Sequence, residues 1–223
     1  MSGTEISAMI RDIVIMVPGF LVAITVHEYT HGRVALAFGD PTAKLAGRLT
    51  FNPVSHLDLF GTIVLVATAM TGFAIGWAKP VPVDPRYLRR PRADMMWISL
   101  GGPAANLVAA TLCAFIFHAI IFFFEGKPVG EGSYFFLQPL VRIVVFAVQI
   151  NVVLAIFNLI PVAPLDGSKI LAGILPRELA YHLERLEPYG FIILILLLFT
   201  GVVGYIIIPP IRFITGLLLG MVG

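Results

Sequence analysis

The chain has 223 residues, 58% of them hydrophobic and only 13% charged, with a mean hydropathy of +0.94. That charged share is about half of what a soluble domain carries, which excludes an ordinary water-soluble enzyme and indicates a protein immersed in lipid. A net charge of +2 is too small to attract nucleic acid, and a single cysteine, Cys113, excludes a disulfide framework or a cysteine-rich metal knuckle.

The opening MSGTEISAMIRD is polar and of mixed charge, and no small-residue cleavage site follows the first apolar run. The first span is therefore expected to be retained rather than removed as a signal peptide. Apolar stretches long enough to cross a ~30 Å hydrocarbon core predict helices over 13–38, 94–124, 139–162 and 189–208. Pro209 and Pro210 set off a last apolar segment, 211–223. Between the first two helices, the alternating KLAGRLTFNP predicts a short β-ribbon, and the basic, proline-rich KPVPVDPRYLRRPRAD predicts a loop. The apolar run 57–78 lies between these two stretches. It carries Gly61, Gly72 and Gly76 with three threonines, which suits either a spanning helix or a re-entrant hairpin buried against protein. Trp77 and Trp97 flank the basic loop as interfacial anchors do, and PRELAYHLERLEPYG has the spacing of an amphipathic surface helix. The whole reads as one all-α, polytopic membrane domain over 1–223. It is expected to be a bundle of about four to six transmembrane helices, with a re-entrant or β-ribbon insertion after the first helix.

Within the first apolar helix stands HEYTH, His27 to His31. On a helix these two histidines lie one turn apart on one face, so both rings reach a single metal ion, and Glu28 lies beside them. This is the HExxH pattern, in which two imidazoles hold zinc and the glutamate takes a proton from water. The competing reading is a histidine pair packed polar-side-in within a helix bundle. The membrane setting weighs against it, because a charged group at the bilayer centre costs at least ~2.5 kcal/mol and persists only with a partner or a task. A catalytic zinc takes three protein ligands and leaves one position open. The best third candidate is Asp166 in FNLIPVAPLDGSKIL, where Asn158 ends a helix, Pro161 and Pro164 break it, and Asp166-Gly167 follow in irregular backbone. Taken alone, Asp166 reads equally well as a cap for a helix beginning at Ser168.

HEYTH in the first span, GGPAANL at 101–107, and Asn158 followed by Pro161 and Asp166-Gly167 occur in that order. Together they resemble the signatures of the site-2 protease family of intramembrane zinc metalloproteases, over about residues 13–175, with C-terminal helices over 176–223 beyond them. The resemblance implies that His27, His31 and Asp166 ligate one zinc ion per chain and that Glu28 is the general base. It also implies that Asn158 orients the scissile carbonyl or stabilises the developing oxyanion. Asn106 would help shape the same cavity; the alternative is helix packing, since Gly101, Gly102, Ala104 and Ala105 are small residues that let membrane helices approach closely. His56 and Asp58 stand at the entrance to run 57–78, as outer partners of the site or, more plainly, as a turn and a helix cap. No PDZ-like or regulatory nucleotide-binding domain is visible, so the resemblance is to a short-form member.

Two ligands of one ion must lie on the same side of the membrane. If run 57–78 spans, three crossings separate His31 from Asp166 and the ligands end on opposite faces. If it dips and returns, only helices 94–124 and 139–162 intervene and the ligands meet, so a shared ion requires the re-entrant reading. That topology gathers Lys44, Arg48, Lys79, Arg86, Arg89, Arg90, Arg92, Lys169, Arg177 and Arg185 on one face, with Arg11 and Lys127 opposite. The positive-inside tendency makes the richer face cytoplasmic. His27 falls about 21 Å along the axis from Ile13, which puts the ion below that face yet within the bilayer.

The expected protein is therefore an intramembrane zinc endopeptidase, multi-pass in a bacterial or archaeal cell membrane. Its site opens towards the cytoplasm, its substrates are transmembrane proteins, and regulated intramembrane proteolysis is its setting. A substrate helix must unwind before its carbonyl reaches the ion, and the ribbon around Leu45 to Phe51, or the re-entrant run, is expected to receive the unwound stretch by β-addition. The reading from another class is a membrane metal-ion transporter or binding protein using the same His/Glu face, which calls for a path through both faces and further ligands within the membrane.

Overall fold

A computed structural model of the protein describes residues 3–69, 76–124 and 131–221. In chain order these form α1 (Gly3–Ala37), α2 (Thr42–Leu45), α3 (Leu59–Ala69), α4 (Pro91–Phe124), α5 (Glu131–Asn158), α6 (Asp166–Ile174), α7 (Arg177–Arg185), α8 (Gly190–Phe199) and α9 (Val202–Leu219), with short 3-10 turns between some of them. Among the described residues, four stretches are long and apolar enough to cross a membrane: Arg11–Ala37, Pro91–Phe124, Phe135–Asn158 and Val202–Leu219. The chain is thus an all-α membrane protein, as composition predicts. Helices dominate because lipid offers backbone N–H and C=O groups no water, so each must be satisfied within its own segment.

The core is where α1, α4 and α5 pack against one another. Each contributes a stripe at helical spacing: Ala23, His27, His31 and Ala35 from α1; Ile98, Gly102, Asn106, Ala110 and Ala114 from α4; Val144, Val148, Asn151, Val152 and Ala155 from α5. Small residues bring the backbones close. A Cβ on Gly19 would lie 3.1 Å from Ala147 Cα, so α1 and α5 touch nearly backbone to backbone. The opposite faces expose Val14, Val17, Leu112, Phe115, Phe122, Phe135 and Phe136, large apolar side chains that in water would be a liability and in lipid are the expected surface. α6 packs on α4, and α9 packs on α5 and α4.

Three expectations are corrected. KLAGRLTFNP does not pair as a ribbon: Leu45 closes α2, Gly47 turns with a positive φ of 67°, and the backbone from Arg48 to Phe51 is irregular. Side chains hold it instead, through Arg48 Nη2 donating to Lys79 O at 2.7 Å and His56 Nε2 bonding Thr50 O at 2.9 Å. Among the described residues the sole β-type pairing is an isolated antiparallel bridge from Leu57 to Ala78, so no strand edge forms at Leu45–Phe51. The C-terminal break lies at Gly201, whose φ of 75° ends α8, and not at Pro209-Pro210, which sit inside α9. A glycine able to turn left-handed stops the helix outright, whereas the prolines remove only their own donors. Finally, α5 stops at Asn158 rather than continuing to 162.

Among the described residues, run 57–78 holds the 11 residues of α3, about 16 Å of helix. Its two ends meet, through the Leu57–Ala78 bridge and through Lys79 N–H donating to His56 O at 2.9 Å. Residues 70–75, with Gly72, lie outside the described residues, as does Lys127 on the expected far face.

Candidate metal centre

α1 presents His27 and His31 on its buried face, with ring centroids 4.5 Å apart and the rings edge to face. α6 brings Asp166 to them as its first residue: Oδ2 lies 3.1 Å from His27 Nε2 and 3.2 Å from His31 Nε2. The turn after Asn158 makes this possible by folding the start of α6 back onto the end of α5. A Cβ on Gly167 would sit 2.3 Å from the carbonyl oxygens of both Leu159 and Ile160, so this close approach requires glycine after Asp166. The capping alternative for Asp166 is not what forms. Leu165 holds the N-cap position without a side-chain bond, and the Asp166 carboxylate points at the imidazoles.

Hydrogen bonds fix which ring nitrogens carry protons. His31 Nδ1 lies 2.7 Å from Ile98 O, and a carbonyl can only accept, so this nitrogen bears the hydrogen. His27 Nδ1 lies 2.6 Å from Asn106 Oδ1. That Asn106 oxygen is oriented by its own amide, whose Nδ2 donates to Ala23 O at 2.9 Å and to Asn151 Oδ1 at 2.8 Å. His27 therefore also carries its hydrogen on Nδ1. Both Nε2 lone pairs then face Asp166 Oδ2, a buried oxygen with no hydrogen-bond donor. Three lone pairs converging without a proton repel. A second proton on either ring would relieve this only by burying an imidazolium, whereas a divalent cation turns the repulsion into ligation. Two imidazole nitrogens and a carboxylate oxygen, mutually within 4.8 Å, fit a zinc ion with an open fourth position.

Glu28 lies beside this group, its Oε2 accepting the Val81 N–H at 2.8 Å. Asn158 does not join the hydrogen-bonding; its Nδ2 donates to Leu154 O in its own helix at 2.9 Å. His56 is wholly buried and bonds Thr50 O, while Asp58 Oδ1 accepts the Gly61 N–H at 2.8 Å and so caps α3. For these two the plain reading, turn and cap, is the one the contacts express. A cavity of about 510 Å³ lies against the Pro161–Ala163 turn and α6, with Arg92, Lys169, Glu184 and Glu187 among its lining residues. The three clustered side chains do not line it.

The chain is 37% identical over 189 residues to YwhC of Bacillus subtilis strain 168, a protein named as a candidate zinc metalloprotease, covering 85% of this chain and 82% of that one. The sequence profile of Peptidase family M50 matches residues 128–200. The chain belongs to peptidase family M50. This is the site-2 protease family that the three motifs resemble. Two M50 relatives named Rip2, likewise as candidate zinc metalloproteases, match less closely. The one from Mycolicibacterium smegmatis is 29% identical over 84% of this chain and 67% of its own length, and the one from Mycobacterium tuberculosis H37Rv 27% identical over 82% and 66%. No solved structure matches the chain.

Sequence reasoning missed several residues around this candidate site. Gly102 is the most consequential: a Cβ there would fall 2.5 Å from His31 Nε2 and 2.6 Å from His27 Cε1, so α4 leaves open the space beside the ligand atoms. The signal was available, because Gly102 stands four residues before Asn106 on one helix face. The Ile98 carbonyl and the Val81 amide carry no signal in a sequence, being backbone groups. Asn151 was visible as an uncharged polar residue inside an apolar helix, seven residues before Asn158 and on the same stripe.

Proposed function

We propose that this chain is an intramembrane zinc endopeptidase that hydrolyses peptide bonds within or near transmembrane segments of other membrane proteins. The observation that carries the reading is the convergence of three proton-free ligand atoms beside a glutamate, inside a helix bundle. His27, His31 and Asp166 would hold one zinc ion. When bound, the metal supplies Lewis acidity to the scissile carbonyl and lowers the pKa of a coordinated water. Glu28 takes the proton of the attacking water and returns it to the leaving amine. Asn158, turning away from Leu154 O, orients the carbonyl oxygen. Asn106 fixes the His27 ring, which makes it a positioning residue rather than a wall of the cavity.

The re-entrant topology belongs to this proposal. A run whose ends meet, through the Leu57–Ala78 bridge and the Lys79 N–H to His56 O bond, returns to the side it left. Two crossings, α4 and α5, then separate His31 from Asp166. The basic residues from Lys44 to Arg92 share a face with Lys169, Arg177 and Arg185, and by the positive-inside rule the site opens to the cytoplasm of the cell that makes it. The cavity beside α6 lies on that side. Regulated cleavage of transmembrane substrates is the setting such a site suits, because a substrate in the same bilayer needs no transfer through water.

The Glu28→Gln variant provides the test. A protease should keep zinc and lose cleavage of a model transmembrane substrate by ~10²–10⁴-fold, the usual contribution of a general base. Zinc-dependent ion transport that survives the substitution would instead establish the transporter.

A further inference from the structure

Buried polar residues in the bundle core outnumber those the proposed reaction uses. Asn151 on α5 is fully buried, and its hydrogen bonds go to Asn106 and Ala147, not to His27 or Asp166. Both polar atoms of its side chain are nonetheless bonded: Nδ2 donates one hydrogen to Ala147 O at 2.8 Å, and Oδ1 accepts from Asn106 Nδ2, also at 2.8 Å. The Asn106 amide in turn spends both its hydrogens, on Asn151 Oδ1 and Ala23 O, leaving its oxygen for His27 Nδ1. The chain of bonds has a direction. It begins at two backbone carbonyls, which can only accept, and each amide passes that polarity on until it reaches the imidazole. Three helices contribute, so the bonds also tie α1, α4 and α5 at the depth of the metal ligands.

We infer that Asn151 is a positioning residue for the metal centre: through Asn106 it holds His27 in the Nδ1–H form and so keeps Nε2 free to ligate. The inference rests on the zinc-site reading above, but its central claim concerns a tautomer that exists with or without metal. Removing the Asn151 acceptor leaves one Asn106 N–H with no partner in an apolar core and the Ala23 carbonyl as the remaining anchor of that amide, which weakens its preference for presenting an oxygen, not a hydrogen, to His27. An imidazole facing a donor moves its own hydrogen to Nε2, where it blocks the ion.

Two substitutions separate this from packing. Asn151→Leu keeps the branched shape, at a larger volume, and removes the acceptor. Asn151→Asp keeps an acceptor oxygen for Asn106 in either protonation state, and when neutral its O–H can also replace the donation to Ala147 O. A positioning role predicts that Asn151→Asp behaves as wild type and Asn151→Leu does not. A packing role predicts the reverse, since leucine suits an apolar core and aspartate does not.

The experiment uses the full chain in detergent micelles, with ¹⁵N-labelled histidine and the His27 signals assigned by their loss in His27→Ala. At about pH 8, above the ordinary imidazole pKa of ~6.5, the metal-free wild type should show His27 as Nδ1–H. Asn151→Leu should show a substantial Nε2–H population, and Asn151→Asp should not. Zinc affinity, read by competition with a chromophoric chelator, should fall roughly tenfold in Asn151→Leu, the low end of what outer partners of metal ligands contribute. An unchanged His27 tautomer in Asn151→Leu overturns the inference. If that variant fails to fold, a shifted tautomer in folded Asn151→Asp overturns it equally. A tautomer switch in Asn151→Leu beside a wild type that binds no zinc refutes the metal reading and leaves the hold of Asn151 on the His27 tautomer standing.

Discussion

Replacing Gly102 by alanine adds one methyl group and should empty the metal site. Built on the present backbone, the new Cβ lies 2.5 Å from His31 Nε2 and 2.6 Å from both His27 Cε1 and His31 Cε1. Carbon in ordinary contact stands about 3.5 Å or more away, so the rings must retreat by roughly 1 Å. Metal–ligand bonds tolerate only about 0.2 Å, and neither ring can move freely, since each Nδ1 is tied to Asn106 or to the Ile98 carbonyl. Loss of an outer partner weakens metal binding by ~10–100-fold, and a methyl group wedged against the ligands themselves should cost at least the upper figure, about 2.7 kcal/mol at ~1.36 kcal/mol per tenfold. Zinc affinity of the detergent-solubilised protein, measured by chelator competition, provides the assay, with helix content and melting temperature as checks on folding. Gly101→Ala is the control. Its Cβ would lie nearest to Val34 Cγ2 at 3.2 Å, Thr30 Cγ2 at 3.4 Å and Thr30 O at 3.8 Å, none of them on the clustered imidazoles or Asp166, so zinc should stay. A Gly102→Ala protein that binds zinc as tightly as wild type would mean that the imidazoles are not held where the structure puts them.

Asp166→Asn keeps the shape of the third ligand and removes its charge, so zinc content after purification should drop sharply while the helical spectrum is retained. Asp58→Ala removes the cap of α3 and should lower stability by ~0.5–2 kcal/mol in a thermal melt, with zinc stoichiometry unchanged, because Asp58 serves the insertion and not the metal. Cysteines placed at Lys44 and at Lys79, on either side of run 57–78, in a Cys113→Ser background should react with an impermeant maleimide in inverted vesicles and stay unlabelled in intact cells; labelling of the two from opposite sides would defeat the re-entrant topology.

How much of this was legible in the sequence depended on which part of the chain carries each feature. Side-chain chemistry at helical spacing was readable: His27 and His31 fall one turn apart whatever their surroundings, and Pro161 and Pro164 marked the break before Asp166, although Asp166 and Gly167 open α6 and do not lie in irregular backbone as expected. The insertion after α1 was not readable, because alternation in KLAGRLTFNP indicates only that one face meets apolar surroundings. Here that face is met by α1 itself: a Cβ on Gly32 would lie 2.8 Å from Leu49 Cδ2 and 3.1 Å from Val81 Cγ1, and Tyr29 stacks on Phe51 at 4.1 Å. Packing onto a helix gives the same pattern as pairing with a strand. The break at Gly201 was missed for a related reason. Proline announces itself, while a glycine ends a helix only when its φ turns positive, and nothing in FTGVVG marks that choice.

The polar groups of the core show why the site's surroundings were harder to read than its ligands. A histidine or aspartate in an apolar helix is costly enough to demand an explanation by itself. An asparagine is cheaper and is usually explained by helix packing, so Asn106 and Asn151 each had a sufficient bland reading in isolation. What separates them from packing is the direction of their hydrogen bonds, from Ala147 O and Ala23 O to His27 Nδ1. That direction exists only once three helices are in register. Packing alone would be satisfied by either orientation of either amide; ligation is satisfied by the one observed. The same asymmetry applies to Gly102. As a small residue at a helix crossing it could be alanine with little loss, but beside two Nε2 lone pairs it could not.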